Sequence, residues 1–225
     1  MRHPTGPILA IDTATAEAFV ALGAGDGTLL DADAWLAGHR HGEELLSRVD
    51  AILSQHDISV RALGAIAVGT GPGAFTGLRV GIATAKGLAV GLGIPLVGVS
   101  TAEALAAAVR GAGERPVAVL LPAGPSDRTI VHAGRAERLH DDDAPDLPFE
   151  VLVAAIDLPG RATDDELALG EAARRGFAAA LVRIAAARLA ETGGDDPARL
   201  VPDYVTLPRG VASSTGEVAW SRTRA

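Results

Sequence analysis

The spacing of hydrophobic positions changes several times along the chain, and each change marks an element. Ile8-Leu9-Ala10-Ile11 is an uninterrupted apolar run, the pattern of a buried strand, and it ends in the polar corner Asp12-Thr13-Ala14-Thr15. Phe19 to Leu22 and Leu29 to Leu36 read as two further strands, with a turn from Gly23 to Gly27 between them. Three consecutive strands with short connections make an antiparallel meander. From His41 to His56 the period becomes helical, with Leu45, Leu46, Val49, Ile52 and Leu53 on one face. Ala65 to Val68 is again a continuous apolar run, followed by a helix from Phe75 to Val90, a strand from Pro95 to Val99 and an Ala-rich helix from Thr101 to Arg110.

The stretch Ala65 to Gly91 organises the rest. Gly69, Gly71, Pro72 and Gly73 crowd between strand and helix, which predicts a sharp, built turn. In the following helix Gly77, Gly81, Ala85 and Ala89 recur every four residues and leave a stripe almost free of side chains, with Leu78, Ile82 and Leu88 on other faces. Such a stripe allows another backbone to approach closely. Two phosphate-binding templates fail on this turn. The P-loop needs a lysine where Leu78-Arg79 stands, and the dinucleotide fingerprint needs an acidic residue about 20 positions on, where none occurs. An anion-tolerant helix N-terminus with Arg79 one turn in survives beside a plain structural turn. The Asp12-Thr13-Ala14-Thr15 corner has two readings as well: Asp for a hydrated metal with Thr for a phosphate oxygen, or a local Asx/ST turn.

Gly111 to Arg115 is a polar break, so the expected organisation is one lobe over 1–110 and a second over 111–225. The second lobe is expected to hold strands at Val117 to Leu121, Thr129 to His132 and Val151 to Ala154. Pro122 to Asp127 is a loop, and Asp141-Asp142-Asp143 opens an acidic surface connection. A long helix near Gly170 to Thr192 carries Phe177, Leu181, Ile184 and Leu189 as its seam and stops at Gly193-Gly194. The tail from Pro202 reads as extended on the surface or mobile.

Composition narrows the chemistry. Apolar residues make up 48% and aromatics only 3%, so the core must be built from Ala, Val, Leu and Ile. The absence of cysteine excludes disulfides, thiolate metal sites and a cysteine nucleophile, and fits a reducing, cytoplasmic setting. Met1 to Gly6 has one Arg and no apolar run, so no signal peptide is expected, and no stretch is long enough for a membrane span. A net charge of −8 suits no stand-alone nucleic-acid binder. His39 and His41 lack the i, i+4 partner that a helical metal pair requires, since Leu45 stands four beyond His41. Ser100 imitates a nucleophile elbow in Gly98-Val99-Ser100-Thr101-Ala102, yet Ser100-x-x-Glu103 is also a capping box, and no histidine completes a triad. No metal and no cofactor is expected.

The meander followed by βα crossovers resembles the ribonuclease H-like unit of the actin, sugar-kinase and Hsp70 (ASKHA) superfamily, and the second half looks like a shrunken copy of it. Several runs together resemble the TsaB (YeaZ) family: Ile8 to Thr15, His41-x-Glu43-x-Leu45-Leu46, Gly71-Pro72-Gly73-x-Phe75-Thr76-Gly77-Leu78-Arg79-Val80-Gly81 and Gly98-Val99-Ser100-Thr101. The family's Asp-Ala-Arg element is replaced by Leu121-Pro122-Ala123-Gly124-Pro125, and its Pro-x-Tyr-Leu-Arg by Pro202-Asp203-Tyr204-Val205-Thr206. The resemblance implies an α/β fold of two lobes, the second reduced. It also implies a non-catalytic partner of the TsaD transferase, with TsaE as the ATPase of the complex. Their joint product is threonylcarbamoylated adenosine beside the tRNA anticodon, with tRNA reached only through the complex. It further implies pairing through the two N-lobe helices, as a homodimer in isolation or with TsaD. The residues expected there are Leu45, Leu46, Val49, Leu53, Phe75, Gly77, Leu78, Gly81, Ile82, Ala85 and Ala89, so Gly81→Leu is expected to block the partner and leave the lobe folded. Asp12, Thr13, Thr15, Gly71, Gly73 and Arg79 then stand as a vestigial phosphate loop. The alternative is a small-molecule phosphotransferase of the same superfamily with Asp12 and Thr13 at the phosphates. It lacks a second phosphate loop and a catalytic carboxylate. A metal-dependent hydrolase is the third reading, opposed by ligand spacing.

Overall fold

The computed structural model describes residues 6–37, 41–110, 115–124, 126–140 and 143–204, without the side chains of 41 and 43. Strands β1 (Ile8–Asp12), β2 (Glu17–Gly23) and β3 (Leu29–Leu36) form the expected antiparallel meander. Helix α1 (His41–Gln55) leads to β4 (Ala65–Gly69), which lies parallel to β1; α2 (Phe75–Leu92) leads to β5 (Leu96–Val99), parallel to β4. The resulting sheet has the order β3-β2-β1-β4-β5, with α3 (Thr101–Val109) after it, the ribonuclease H-like arrangement.

Alternation along the strands divides the core. Leu9, Ile11, Val20, Leu22, Ile66 and Val68 face α1 and α2, where Leu45, Val49, Ile52, Ile82 and Ala85 cover them. Ile8, Ala10, Phe19, Ala21, Ala65 and Ala67 face the other way. Arg48 anchors α1 to the edge strand, donating to Asp33 at 2.8 Å and lying 4.5 Å from the Trp35 ring centre.

The second sheet contains β6 (Val117–Pro122), β7 (Arg128–His132), β8 (Arg135–Leu139) and β9 (Leu152–Ala155) in the order β8-β7-β6-β9. Its pairing repeats that of β3-β2-β1-β4, antiparallel twice and then parallel, with no fifth strand among the described residues. Strand β8 is an element the hydrophobic pattern does not announce. Its residues Arg-Ala-Glu-Arg are exposed, and it is held by its ladder to β7 across the two-residue turn Ala133-Gly134, both at positive φ as a type I′ hairpin requires.

Helix α4 (Asp164–Thr192) begins six positions before the expected Gly170. Thr163 and Glu166 form a reciprocal capping box, the Thr163 hydroxyl accepting from Glu166 N at 3.3 Å and the Glu166 carboxylate from Thr163 N at 2.8 Å. Gly170 is therefore interior to the helix. Its place is set by packing, since a Cβ there would stand 1.9 Å from the Ala155 carbonyl oxygen of β9. Helices α3 and α4 lie between the two sheets. Leu105, Phe177, Leu181, Val182 and Leu189 share one core with Ala10 and Phe19 of the first sheet and Val119, Leu121 and Ala154 of the second. The expected break at Gly111 to Arg115 falls on residues outside the described set up to 114, as do Asp141 and Asp142. Among the described residues no helix is long and apolar enough to cross a membrane.

Phe177, 5% exposed, meets Phe19 edge-on at 4.9 Å between ring centres. Phe177→Ala should cost about 3–5 kcal/mol, read as a lower urea midpoint. A loss below about 1 kcal/mol would mean that the core closes over the gap.

Candidate functional site

Strand β1 delivers Asp12 to the point where the glycine turn after β4 meets the start of α3. The side chain is fully buried. Its Oδ1 accepts from Ala14 N at 2.8 Å, an Asx turn, and its Oδ2 accepts from Thr101 Oγ1 at 2.7 Å. Thr101 Oγ1 in turn accepts from Gly71 N at 3.0 Å, while Thr101 N and Ser100 Oγ both donate to the Gly71 carbonyl, at 2.8 and 3.1 Å. Gly71 sits at φ +102, a conformation open to glycine, and the Gly71-Pro72 peptide is cis. Burial, offset in part by the Thr101 hydroxyl and the Ala14 N–H, pushes the Asp12 carboxyl up to about 6.

The rest of the corner is also turned inward. Thr13 Oγ1 donates to the Gly77 carbonyl of α2 at 2.7 Å, and Thr15 Oγ1 donates to the Glu17 carbonyl at 2.7 Å. The Ala14 carbonyl accepts from Ala74 N at 2.7 Å and stands where a Cβ on Gly73 would be, 2.1 Å away. Asp12, Thr13, Thr15, Gly71 and Gly73 therefore come together as a hydrogen-bonded corner, and of the two readings of Asp12 the local turn is the one formed. Arg79 belongs elsewhere. It is exposed, its guanidinium lies 3.7 Å from the Phe75 ring centre, and its Nε donates to Tyr204 Oη at 2.9 Å. Ser100 caps α3 by accepting from Glu103 N at 3.4 Å. The reciprocal half of the expected capping box is missing because the Glu103 carboxylate pairs with Arg188 of α4.

The pairing residues need a correction. Leu45, Val49, Leu53, Gly77, Leu78, Gly81, Ile82, Ala85 and Ala89 are all buried within the chain itself. A Cβ on Gly81 would stand 2.3 Å from Thr13 Oγ1, so the small-residue stripe faces its own sheet and lets α2 settle on the end of β1. Gly81→Leu is thus a folding mutation and not a clean probe of a partner. Leu46, at 57% exposure, and half-buried Phe75 do reach the surface. The outward side of α2 carries Ala83, Gly87, Val90 and Gly91, with Val90 at 68% exposure and nothing within 4 Å of a Cβ built on Gly87 or Gly91. Leu46 lies one turn along α1 from Gly42, whose Cβ position is 3.9 Å from Val80 of α2.

The tail expected to be extended or mobile from Pro202 is docked as far as Tyr204. Asp195 bridges to β5, its N–H donating to the Leu96 carbonyl at 2.7 Å and its Oδ2 accepting from Gly98 N at 2.8 Å. Leu200 packs on the α1–α2 side of the sheet. Asp203 N donates to the Thr70 carbonyl at 2.8 Å, and Thr70 Oγ1 donates to Asp203 Oδ2 at 2.6 Å. Tyr204 also borders a cleft of about 720 Å³ between the sheets, which runs past Ser100, Glu103 and Arg110 to Val131. Asp157, after β9, accepts from Ala16 N at 2.8 Å and pairs with Arg174, which ties the two sheets together at the corner. Asp157 and Asp195 carry no motif signal for these roles; Thr101, Asp203 and Tyr204 lie in runs compared with the family, without a role assigned to them. His39 and the His41 side chain lie outside the described residues.

Residues 35–190, more than two thirds of the chain, match a family described as TsaD, tRNA N6-adenosine threonylcarbamoyltransferase. The chain is 46% identical over 99 residues to the tRNA threonylcarbamoyladenosine biosynthesis protein TsaB of Escherichia coli (strain K12), covering 44% of this chain and 42% of that protein. It is 38% identical over 102 residues to the protein of the same name from Haemophilus influenzae, covering 45% and 42%. The matched part thus spans less than half the length of these curated relatives. The solved structure of YeaZ from Pseudomonas aeruginosa superimposes with a TM-score of 0.69 at 24% identity, over 89% of this chain and 100% of that one, which shows a common fold.

The buried carboxyl makes stability depend on pH. Because its folded value of about 6 lies above the ordinary 3.8, its contribution is full below 3.8 and is lost as pH rises through about 6. Asp12→Asn cannot ionise and should gain on the wild type by up to about 3 kcal/mol between about pH 4 and about pH 7, in urea midpoints taken across that range. A flat difference would show that Asp12 is not the group responsible.

Proposed function

Since the chain belongs to the TsaD family, on its TsaB (YeaZ) branch, we propose that it serves tRNA threonylcarbamoyladenosine biosynthesis as a non-catalytic subunit that docks on the TsaD transferase. The observation that carries this reading is the outer face of α2. Ala83, Gly87 and Gly91 leave the helix backbone uncovered, Val90 stands exposed beside them, and Leu46 is exposed on α1. A second helix can cross such a face at the short end of the usual interaxial range, about 8 Å, and bury Val90. In the absence of TsaD the same face suits a second copy of the chain, because a two-fold contact needs only self-complementarity. TsaE completes the assembly as its ATPase. The net charge of −8 leaves tRNA binding to the complex rather than to this chain, and the setting is cytoplasmic.

The phosphotransferase alternative would need the corner around Asp12 to receive phosphate oxygens. The Thr13 and Thr15 hydroxyls and the Ala14 and Ala74 N–H groups already have partners within the chain. The reaction would first have to break that network, and no observation favours it.

Size-exclusion chromatography with light scattering, on this protein mixed with TsaD of the same organism, should show a heteromer. Gly87→Trp should weaken that association at least about tenfold, or ~1.4 kcal/mol, at an unchanged melting temperature, whereas Gly81→Leu should lower the melting temperature itself. Wild-type affinity in Gly87→Trp would remove α2 as the docking surface.

A further inference from the structure

We propose that residues 195–204 act as a strap that holds the start of α2 in its docking orientation, with Asp203 and Tyr204 as the positioning residues. The inference rests on the reading of α2 as the docking helix and adds what controls that helix.

Local sequence does little to hold the start of α2. Its N-cap is Ala74, which offers no side-chain hydrogen bond, and its first turn has no acidic residue to meet the helix dipole. Gly77 falls in the same turn and lowers helix propensity further. Support comes from afar: the Ala14 carbonyl holds Ala74 N and the Thr13 hydroxyl holds the Gly77 carbonyl, and residues 195–204 add further ties. The two-way contact between Asp203 and Thr70 pins the strand side of the turn, through one backbone and one side-chain hydrogen bond at 2.8 and 2.6 Å. On the helix side, the Arg79 guanidinium, the Phe75 ring and the Tyr204 ring form a triangle, with Arg79 3.7 Å from the centre of Phe75 and 5.9 Å from that of Tyr204 and the rings 5.1 Å apart. Phe75 and Arg79 are one turn apart on α2, so Tyr204 clamps that turn through both stacking and the Nε–Oη hydrogen bond.

The strap has a definite origin. It leaves α4 at Gly193, crosses β5 through Asp195 and seats Leu200 on the α1–α2 core before reaching the turn. Helix α4 lies in the core shared by both sheets, so the strap links that core to the helix that meets the partner. Tyr204 also lines a smaller pocket with Gly73, Phe75, Pro122 at the end of β6 and the following Ala123 and Gly124, which makes its position sensitive to the spacing of the sheets. A clamp of this kind is distinct from general stabilisation, because Tyr204 is half-exposed and lies outside the packed cores.

The test compares wild type, Tyr204→Ala, Tyr204→Phe and Gly87→Trp for affinity to TsaD, melting temperature and amide hydrogen exchange over residues 74–79. Tyr204→Ala should weaken binding by about tenfold and speed exchange in that turn by at least as much, with the melting temperature nearly unchanged. Tyr204→Phe, which keeps the ring and loses only the hydroxyl that Arg79 reaches, should lie between the two; it also carries the test if Tyr204→Ala fails to fold. Wild-type affinity and exchange in both Tyr204 variants, with Gly87→Trp impaired, would overturn the strap and leave the docking reading intact. Wild-type affinity in Gly87→Trp would overturn the docking reading, and the positioning role with it.

Discussion

The carboxylate of Asp12 is fully buried at the end of β1, and several elements are arranged around keeping it hydrogen-bonded. A buried carboxylate without partners is so costly that it must be neutralised or fully paired. Here the pairing draws in Ala14 from its own turn and Thr101 from the first position of α3, and Thr101 passes the connection on to Gly71. The meander, the glycine turn and α3 are thereby locked at one point. The same bonds satisfy the polar groups of this corner from within the chain. Polar groups paired in this way make the corner part of the framework.

The second sheet extends that framework. It is one strand shorter than the first, yet it supplies the far wall of a core in which α3 and α4 are covered on both sides. With few aromatic side chains available, the core depends on close approach through glycines, as where Gly170 lies against the backbone of β9 and Gly81 against the Thr13 hydroxyl. Close approach through small residues leaves little slack, so displacing one helix disturbs both sheets. Through Asp195 and Asp203 the constraint continues to the turn that begins α2.

Helix α2 consequently has two small-residue sides in different surroundings. The inner one, Gly77, Gly81, Ala85 and Ala89, lies on the sheet. The outer one, Ala83, Gly87 and Gly91, is open to solvent, and a helix firmly seated on one side can offer a well-defined surface on the other. The proposed docking role would need that combination, because a docking helix that moved on its own sheet would lose binding free energy to ordering.

Much of the fold was legible from local pattern. Apolar runs such as Ile8 to Ile11, helical spacing in α1 and α2 and the glycine turn between β4 and α2 yielded the element order, because strand and helix periodicity and turn chemistry act over a few residues. The motif runs from Ile8 to Thr101 were likewise enough to suggest the family. Local pattern could not orient the Gly77–Ala89 stripe, since a sheet and a partner helix demand the same small residues. It also missed β8, a polar edge strand held by backbone bonds to β7, and the first turns of α4, where the Thr163–Glu166 box outweighs an interior glycine. The fate of Asp12 and the docking of the tail depended on Thr101, Thr70 and Arg79, partners 89, 133 and 125 positions away. Contacts at that separation leave no periodic trace in a sequence; they exist only once the sheets have packed and brought the groups together.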